Sequence, residues 1–135
     1  MPSRTFYYLL ALTVLPFATL AGQAAAPDSA QMLYRQLSDH FQTPNIQVRL
    51  GALGPKWVAQ ITFDDSTFFR LPRAGRLQAA QAVAEYVRDY YGPNSKLTDI
   101  VVMWSSKGSD GAIESFMRPF AVGDLGPRPE QLRSQ

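Results

Sequence analysis

The residues of this chain that could do chemistry are few, and their spacing does not complete a known catalytic arrangement. His40 is the only histidine, and the chain has no cysteine. A Ser–His–acid triad would need His40 as its base, but no G-x-S-x-G nucleophile motif accompanies it. One imidazole without thiolates also falls short of the donors that a usual zinc site needs. We therefore predict no catalytic residues, no metal ligands and no bound cofactor.

The adjacent carboxylates Asp64 and Asp65 are the one alternative that the sequence offers for catalysis. Hydrolysis by general acid–base chemistry uses two carboxylates that face one volume. Consecutive strand residues instead point to opposite sides, and Asp in a turn commonly bonds the local backbone. We therefore favour a turn here, and keep a carboxylate-dependent hydrolase of envelope or extracellular polymer as the alternative function.

Aromatic residues are abundant, with eight Phe, six Tyr and two Trp. Phe68 and Phe69 are consecutive, so in a strand their rings would face opposite sides of the sheet. One helical layer covers only one of those faces, which would leave an apolar patch exposed. Tyr86 and Tyr90, at helical spacing, either edge a second binding surface or cap the core with hydroxyls in water. We predict that Phe68, Phe69, Tyr86 and Tyr90 bind a partner, and that the partner is another protein, bacterial or host.

The N-terminal segment predicts export. Arg4 supplies a basic charge, positions 6–20 form a mostly apolar run, and AGQAAA at 21–26 offers the small residues that signal peptidase needs. The run is short for a stable membrane span, which takes about 20 residues. We therefore predict a signal peptide at 1–24 and a secreted mature protein without a membrane span, with the periplasm as the alternative destination.

The composition of the predicted mature chain limits its partners. Cleavage after Ala24 leaves 111 residues (135 minus 24), which we divide into one domain at 25–125 and a flexible tail at 126–135. Removing Arg4 leaves 12 Lys and Arg against 11 Asp and Glu, a net charge of +1. So small a charge, without a basic block, does not suit nucleic acid. Without cysteine no disulfide can form, so stability must come from burial and backbone pairing.

Hydrophobic periodicity predicts two helices and four or five strands. Apolar residues recur at helical spacing up to Phe41 and again over Arg73–Tyr91. Alternating or continuous apolar patterns predict strands at 46–52, 57–63, 67–71, 97–104 and 112–122. Pro119 predicts either that the last strand lies at an edge of the sheet or that it ends at this residue. An unpaired edge there would suit a periplasmic chaperone or a structural subunit that lends a strand edge to another chain.

This order of elements predicts an α+β fold. Most strands follow one another in hairpins and do not alternate with helices, which is typical of antiparallel sheets. We predict a two-layer sandwich in which an antiparallel sheet of four or five strands carries two helices on one face.

Three segments resemble a known family. They are LSDHFQTPNIQVRLG (37–51), TFDDSTFFRLP (62–72) and AAQAVAEYVRDYYG (79–92). They are similar to the quorum-sensing-regulated virulence factors, small secreted proteins of pseudomonads and their relatives. The resemblance extends from the signal segment to Phe120, contains no catalytic motif and implies a secreted α/β protein linked to virulence. The resemblance leaves the biochemical activity undefined. The predicted signal peptide, the missing catalytic residues and the many aromatic residues favour a secreted or periplasmic non-enzymatic binding protein over an enzyme.

Overall fold

The computed structural model of the protein describes residues 27–126. The predicted signal peptide at 1–24 and positions 127–135 of the predicted tail lie outside the described residues. The elements are helix α1 (Pro27–Phe41), strands β1 (Ile46–Leu53) and β2 (Lys56–Asp64), a 3-10 helix (Thr67–Arg70), helix α2 (Arg73–Tyr91), strands β3 (Asp99–Lys107) and β4 (Ile113–Ala121), and a second 3-10 helix (Val122–Asp124). The predicted α+β fold is confirmed, with helices packed on a four-stranded sheet. None of the described helices is long and apolar enough to cross a membrane.

The sheet is mixed, with strand order β1-β2-β3-β4. The outer pairs β1–β2 and β3–β4 are antiparallel, but the central strands β2 and β3 are parallel. The prediction of a wholly antiparallel sheet is therefore wrong for the central pair. Parallel neighbours need a crossover of a dozen or more residues, which helix α2 provides here. The sequence does not predict this crossover, because a further strand is predicted at 67–71, between β2 and α2.

Residues 67–71 do not form a strand. Thr67–Arg70 form a 3-10 helix whose start is held by Asp65. The Asp65 Oδ1 accepts hydrogen bonds from the Thr67 backbone N–H at 2.9 Å and from its hydroxyl at 2.6 Å. An aspartate that bonds the backbone two residues further on favours a turn over an extended strand. Phe68 and Phe69 thus do not occupy opposite faces of the sheet, and the exposed patch argued from that geometry does not form.

The core lies between the two helices and one face of the sheet. Its largest fully buried side chains are Leu33, Leu37, Ile61, Val83, Val87, Ile100 and Val102. Each such side chain contributes about 1.5–3 kcal/mol relative to exposure. The small residues Ala80 and Ala84 of α2 are also fully buried, and they let the helix approach the strands closely. The core therefore fixes α1 and α2 over the sheet and sets the geometry of the gap between them.

The opposite face of the sheet carries no helix of the described part of the chain, because both helices belong to the single core cluster. Its central position is Gln60, which is 6% exposed and donates a hydrogen bond to the Met103 sulfur at 3.2 Å. Exposure increases towards β4, where Ile113 is 51% and Met117 is 42% exposed. The sheet is thus covered least at its β4 margin.

Candidate functional site: an aromatic groove

A groove opens where α1 and β2 end and α2 passes over the sheet. Its volume is about 550 Å³, within the range of about 300–1,000 Å³ that ligand sites typically show. Its floor is formed by the rings of Phe41, Phe63, Phe68 and Trp104. Its rim is formed by Gln42, Thr43, Asn45, Asp64, Asp65 and Thr67, and its α2 side by Ala79, Ala82 and Val83. We call this site the aromatic groove.

The floor is a continuous stack of rings. The indole of Trp104 lies between two phenyl rings, 4.8 Å from Phe63 and 4.0 Å from Phe68 between ring centroids, with interplanar angles of 12° and 2°. Phe41 meets Phe63 edge to face at 6.0 Å. These rings come from β2, β3, α1 and the first 3-10 helix, so the stack joins four elements. Such a floor offers a rigid apolar surface for a side chain or an aliphatic group.

The rim is built where the chain reverses direction after α1. Gln42 has a positive φ of 55°, and the Thr43 N–H donates to the Ser38 carbonyl at 3.1 Å, which ends the helix with a left-handed residue. The Asp64 N–H then donates to the Asn45 carbonyl at 3.0 Å. This bond holds the start of β1 against the end of β2. It therefore places the two polar turns side by side.

The two carboxylates of the rim differ in their hydrogen-bond partners. Asp65 uses Oδ1 to hold the first 3-10 helix, as described above. The Asp64 side chain is exposed and has no hydrogen-bond or ion-pair partner within residues 27–126. No Lys, Arg or His lines the groove in this part of the chain. The rim thus presents negative charge that favours a cationic group.

The structure brings one of the four predicted partner-binding residues to the groove and places the other three elsewhere. Phe68 is 3% exposed and belongs to the floor of the groove, whereas Phe69, Tyr86 and Tyr90 do not line it. Tyr86 stacks on His40 at 4.3 Å between ring centroids and meets Phe41, a floor residue, at 5.8 Å. Tyr86 therefore joins the helices beside the groove.

Phe69 and Tyr90 have other surroundings. Phe69 is half-buried, and the Arg76 guanidinium lies 5.5 Å from its ring centroid. Tyr90 is 36% exposed and meets Tyr91 edge to face at 5.2 Å. Neither contact brings these rings to the groove, so their predicted role in binding stays a prediction.

Sequence reasoning missed the rim residues Thr43 and Asn45, although a signal for them exists. The polar turn after α1 and the turn at Asp64 flank the two ends of one predicted hairpin. In an antiparallel hairpin, the residue before the first strand lies next to the residue after the second. The observed register, in which Ile46 pairs with Phe63, has this consequence. Pairing the two turns would have placed the rim on one side of the sheet.

The described residues contain no group of three or more Asp, Glu or His placed to hold a metal ion. His40, the single imidazole, stacks on Tyr86 and does not line the groove. Comparisons of the chain with protein-family models, with curated proteins and with solved structures found no match. The resemblance to quorum-sensing-regulated virulence factors therefore stays a prediction.

Proposed function

We propose that the protein is an exported, non-enzymatic binding protein whose aromatic groove holds a segment of a partner protein. The observation that carries the proposal is an apolar floor of stacked rings beneath a rim to which residues 27–126 contribute two carboxylates and no basic side chain. The segment that fits has an apolar side chain next to a Lys or Arg. Support for export comes from the sequence pattern at 1–24, and support for a link to virulence comes from the family resemblance.

The two parts of the site would act on different parts of the segment. An apolar side chain that becomes fully buried against the ring stack gains about 1.5–3 kcal/mol. A neighbouring ammonium or guanidinium can reach Asp64, whose carboxylate has no competing partner in the described residues. Ala79 and Ala82 are small, so the α2 side of the groove leaves room for the segment. Floor and rim together select an apolar–basic pair and disfavour an apolar–acidic one.

A peptide titration tests this proposal. The ¹⁵N-labelled protein, purified from cells that express the full chain, is titrated with short peptides that carry Leu-Lys or Phe-Arg, and with matched peptides in which Glu replaces the basic residue. We expect amide shifts around the groove with the basic peptides only. Ala82→Leu, which fills the groove, and Asp64→Asn should each weaken binding about tenfold, the loss of one apolar contact or one charge pair.

Gln78→Leu is the matched control, because Gln78 is an exposed residue of the same helix α2 but does not line the groove. It should bind like the original chain. Binding that survives Ala82→Leu unchanged, or a set of basic peptides that shift no groove amide, would contradict the proposal. Fractionation of the culture tests the export component, which fails if the protein stays in the cytoplasm.

A carboxylate-dependent hydrolase is a second candidate function, favoured by one observation. Asp64 and Asp65 both border the groove, whereas the strand argument predicted opposite sides. The difference arises because Asp64 ends β2 and Asp65 already belongs to the following turn. Hydrolysis of envelope or extracellular polymer by the purified protein, abolished by the Asp64→Asn and Asp65→Asn double variant, would establish this function. Activity that persists in the double variant would exclude these carboxylates.

A further inference from the structure

Strand β4 forms an edge of the sheet, which is one of the two alternatives that Pro119 predicts, and no strand of residues 27–126 pairs with its outer side. The Val122 N–H donates to the Thr98 carbonyl and the Gly108 N–H donates to the Ala112 carbonyl. Ala112 and Val122 flank β4 and continue the same register, so the even-numbered residues of β4 are the ones that exchange hydrogen bonds with β3. Because backbone direction alternates along a strand, the odd-numbered residues aim their N–H and C=O groups outwards. The outer edge can therefore accept another strand.

Two charges on β4 are left unpaired by the rest of residues 27–126. Glu114 and Arg118 are exposed, lie on the same face of the strand, and have no ion-pair partner within the described residues. They are four residues apart, so their Cα atoms are separated by about 13 Å and cannot form a pair with each other. Phe116 lies midway between them. A copy of the strand rotated by 180° about Phe116 would bring each charge opposite its counterpart.

We propose that β4 pairs with β4 of a second copy, antiparallel and centred on Phe116, to form a twofold-symmetric dimer with a continuous eight-stranded sheet. In this register Glu114 of each copy lies opposite Arg118 of the other, and the two Phe116 rings lie opposite each other. Even-numbered residues form the pairs without hydrogen bonds, in which side chains approach most closely. The proposal is independent of what the aromatic groove binds.

The neighbouring registers are less favourable. Only the odd-numbered residues present outward hydrogen-bonding groups, so odd-numbered residues of one copy must lie opposite odd-numbered residues of the other. The twofold axis can therefore pass only through a residue position and not between two residues. Centring on Glu114 or on Arg118 places like charges opposite each other, which destabilises a strand pair. Centring on Ser115 or Met117 leaves neither charge opposite its counterpart. Phe116 is the centre that pairs both.

Pro119 fits the proposed register and limits it. It has no N–H, and it is one of the residues whose backbone faces outwards. Opposite it lies Ile113 of the other copy, at the margin of the paired segment, so only the outermost hydrogen bond is lost on each side. Prolines and charges on edges also prevent uncontrolled strand pairing. Here they confine pairing to one short, self-complementary segment.

Charge exchange tests the dimer. The mass of the purified protein is measured by light scattering and sedimentation up to about 100 µM, a range that detects micromolar association. We expect twice the chain mass. Glu114→Arg or Arg118→Glu alone places like charges at both pairs and should raise the dissociation constant at least about tenfold. The double exchange E114R/R118E restores opposite charges and should restore the dimer. A monomeric original chain, or a double exchange as weak as the single variants, would overturn the proposal.

Cysteine cross-linking tests the register. The chain has no cysteine, so Phe116→Cys introduces a single thiol. In the proposed dimer, this thiol lies opposite the same thiol of the second copy. Cα atoms in such a pair are about 4.5 Å apart, a separation that a disulfide bridges. Ser115→Cys and Met117→Cys are the matched controls and should not cross-link. If Phe116→Cys does not fold, a mixture of Glu114→Cys and Arg118→Cys chains replaces it and should cross-link only when mixed. Equal cross-linking of the controls would exclude this register.

Discussion

Tyr91 carries a hydroxyl that is buried without a hydrogen-bond partner in the described part of the chain. Burial of the ring, and to a lesser degree the neighbouring Tyr90, raises the pKa of Tyr91 from 10.0 to about 12. The folded state thus favours the neutral phenol. Ionisation of Tyr91 therefore leaves the free energy of unfolding unchanged below pH 10 and lowers it as the pH rises from 10 through about 12, because the tyrosine of the unfolded chain ionises first.

Tyr91→Phe should therefore stabilise the protein. Removing an unsatisfied buried hydroxyl should raise the free energy of unfolding by about 1 kcal/mol at neutral pH. It should also reduce the loss of stability above pH 10, which urea denaturation at pH 8 and at pH 11 measures against the original chain. Tyr34→Phe is the matched control with the opposite sign, because the Tyr34 hydroxyl donates to the Pro44 carbonyl at 3.0 Å. A destabilised Tyr91→Phe variant would contradict the assignment.

Among the elements, those with strong local patterns are the ones the sequence predicts best. Helix α2 has the predicted bounds Arg73–Tyr91, since its apolar stripe is long and Gly92 and Pro93 follow it. The β1–β2 hairpin is confirmed, with strand bounds within a few residues of the predicted ones. The edge position of β4 is also confirmed. The first 3-10 helix was missed because Thr67–Leu71 has the composition of a strand. The Asp65 carboxylate accepts two hydrogen bonds from Thr67 that favour the turn, and strand propensity does not take such bonds into account.

Sequence patterns do not predict the aromatic groove, because its residues come from different elements. Phe41, Phe63, Phe68 and Trp104 come from four elements, and they meet only once the parallel pairing of β2 with β3 is known. That pairing follows from the α2 crossover, which the misassigned strand had hidden. Because residues 67–71 are wrongly predicted as a strand, the sequence predicts neither the parallel pairing of β2 with β3 nor the ring stack.

The turn that holds the first 3-10 helix can be tested directly. Asp65→Ala removes the acceptor of two hydrogen bonds, and should lower the free energy of unfolding by about 1 kcal/mol. Asp64→Ala is the matched control. Its carboxylate has no partner in the described residues, so stability should change by less than about 0.5 kcal/mol. Urea denaturation of both variants decides between a structural and a free carboxylate. Equal losses would show that Asp64 also supports the turn.

At the scale of the whole molecule, the two proposed surfaces meet at one ring. Phe116, at the centre of the proposed dimer, lies 5.2 Å from Phe68 and 6.3 Å from Trp104 between ring centroids. Both neighbours belong to the floor of the aromatic groove. A twofold axis at Phe116 would therefore place two grooves close together. The helices of both copies would lie on the same side of the joined sheet, because the axis is perpendicular to it.

This arrangement predicts bivalent binding, and rests on both proposals. A peptide with two apolar–basic motifs joined by a flexible linker should bind the dimer more tightly than a peptide with one motif, because the second contact becomes intramolecular. Glu114→Arg, which separates the copies, should abolish that gain and leave the affinity for the single motif unchanged. The double exchange E114R/R118E should recover it. Calorimetry with both peptides measures the ratio of affinities. A ratio near one for a dimeric protein would contradict the prediction of bivalent binding.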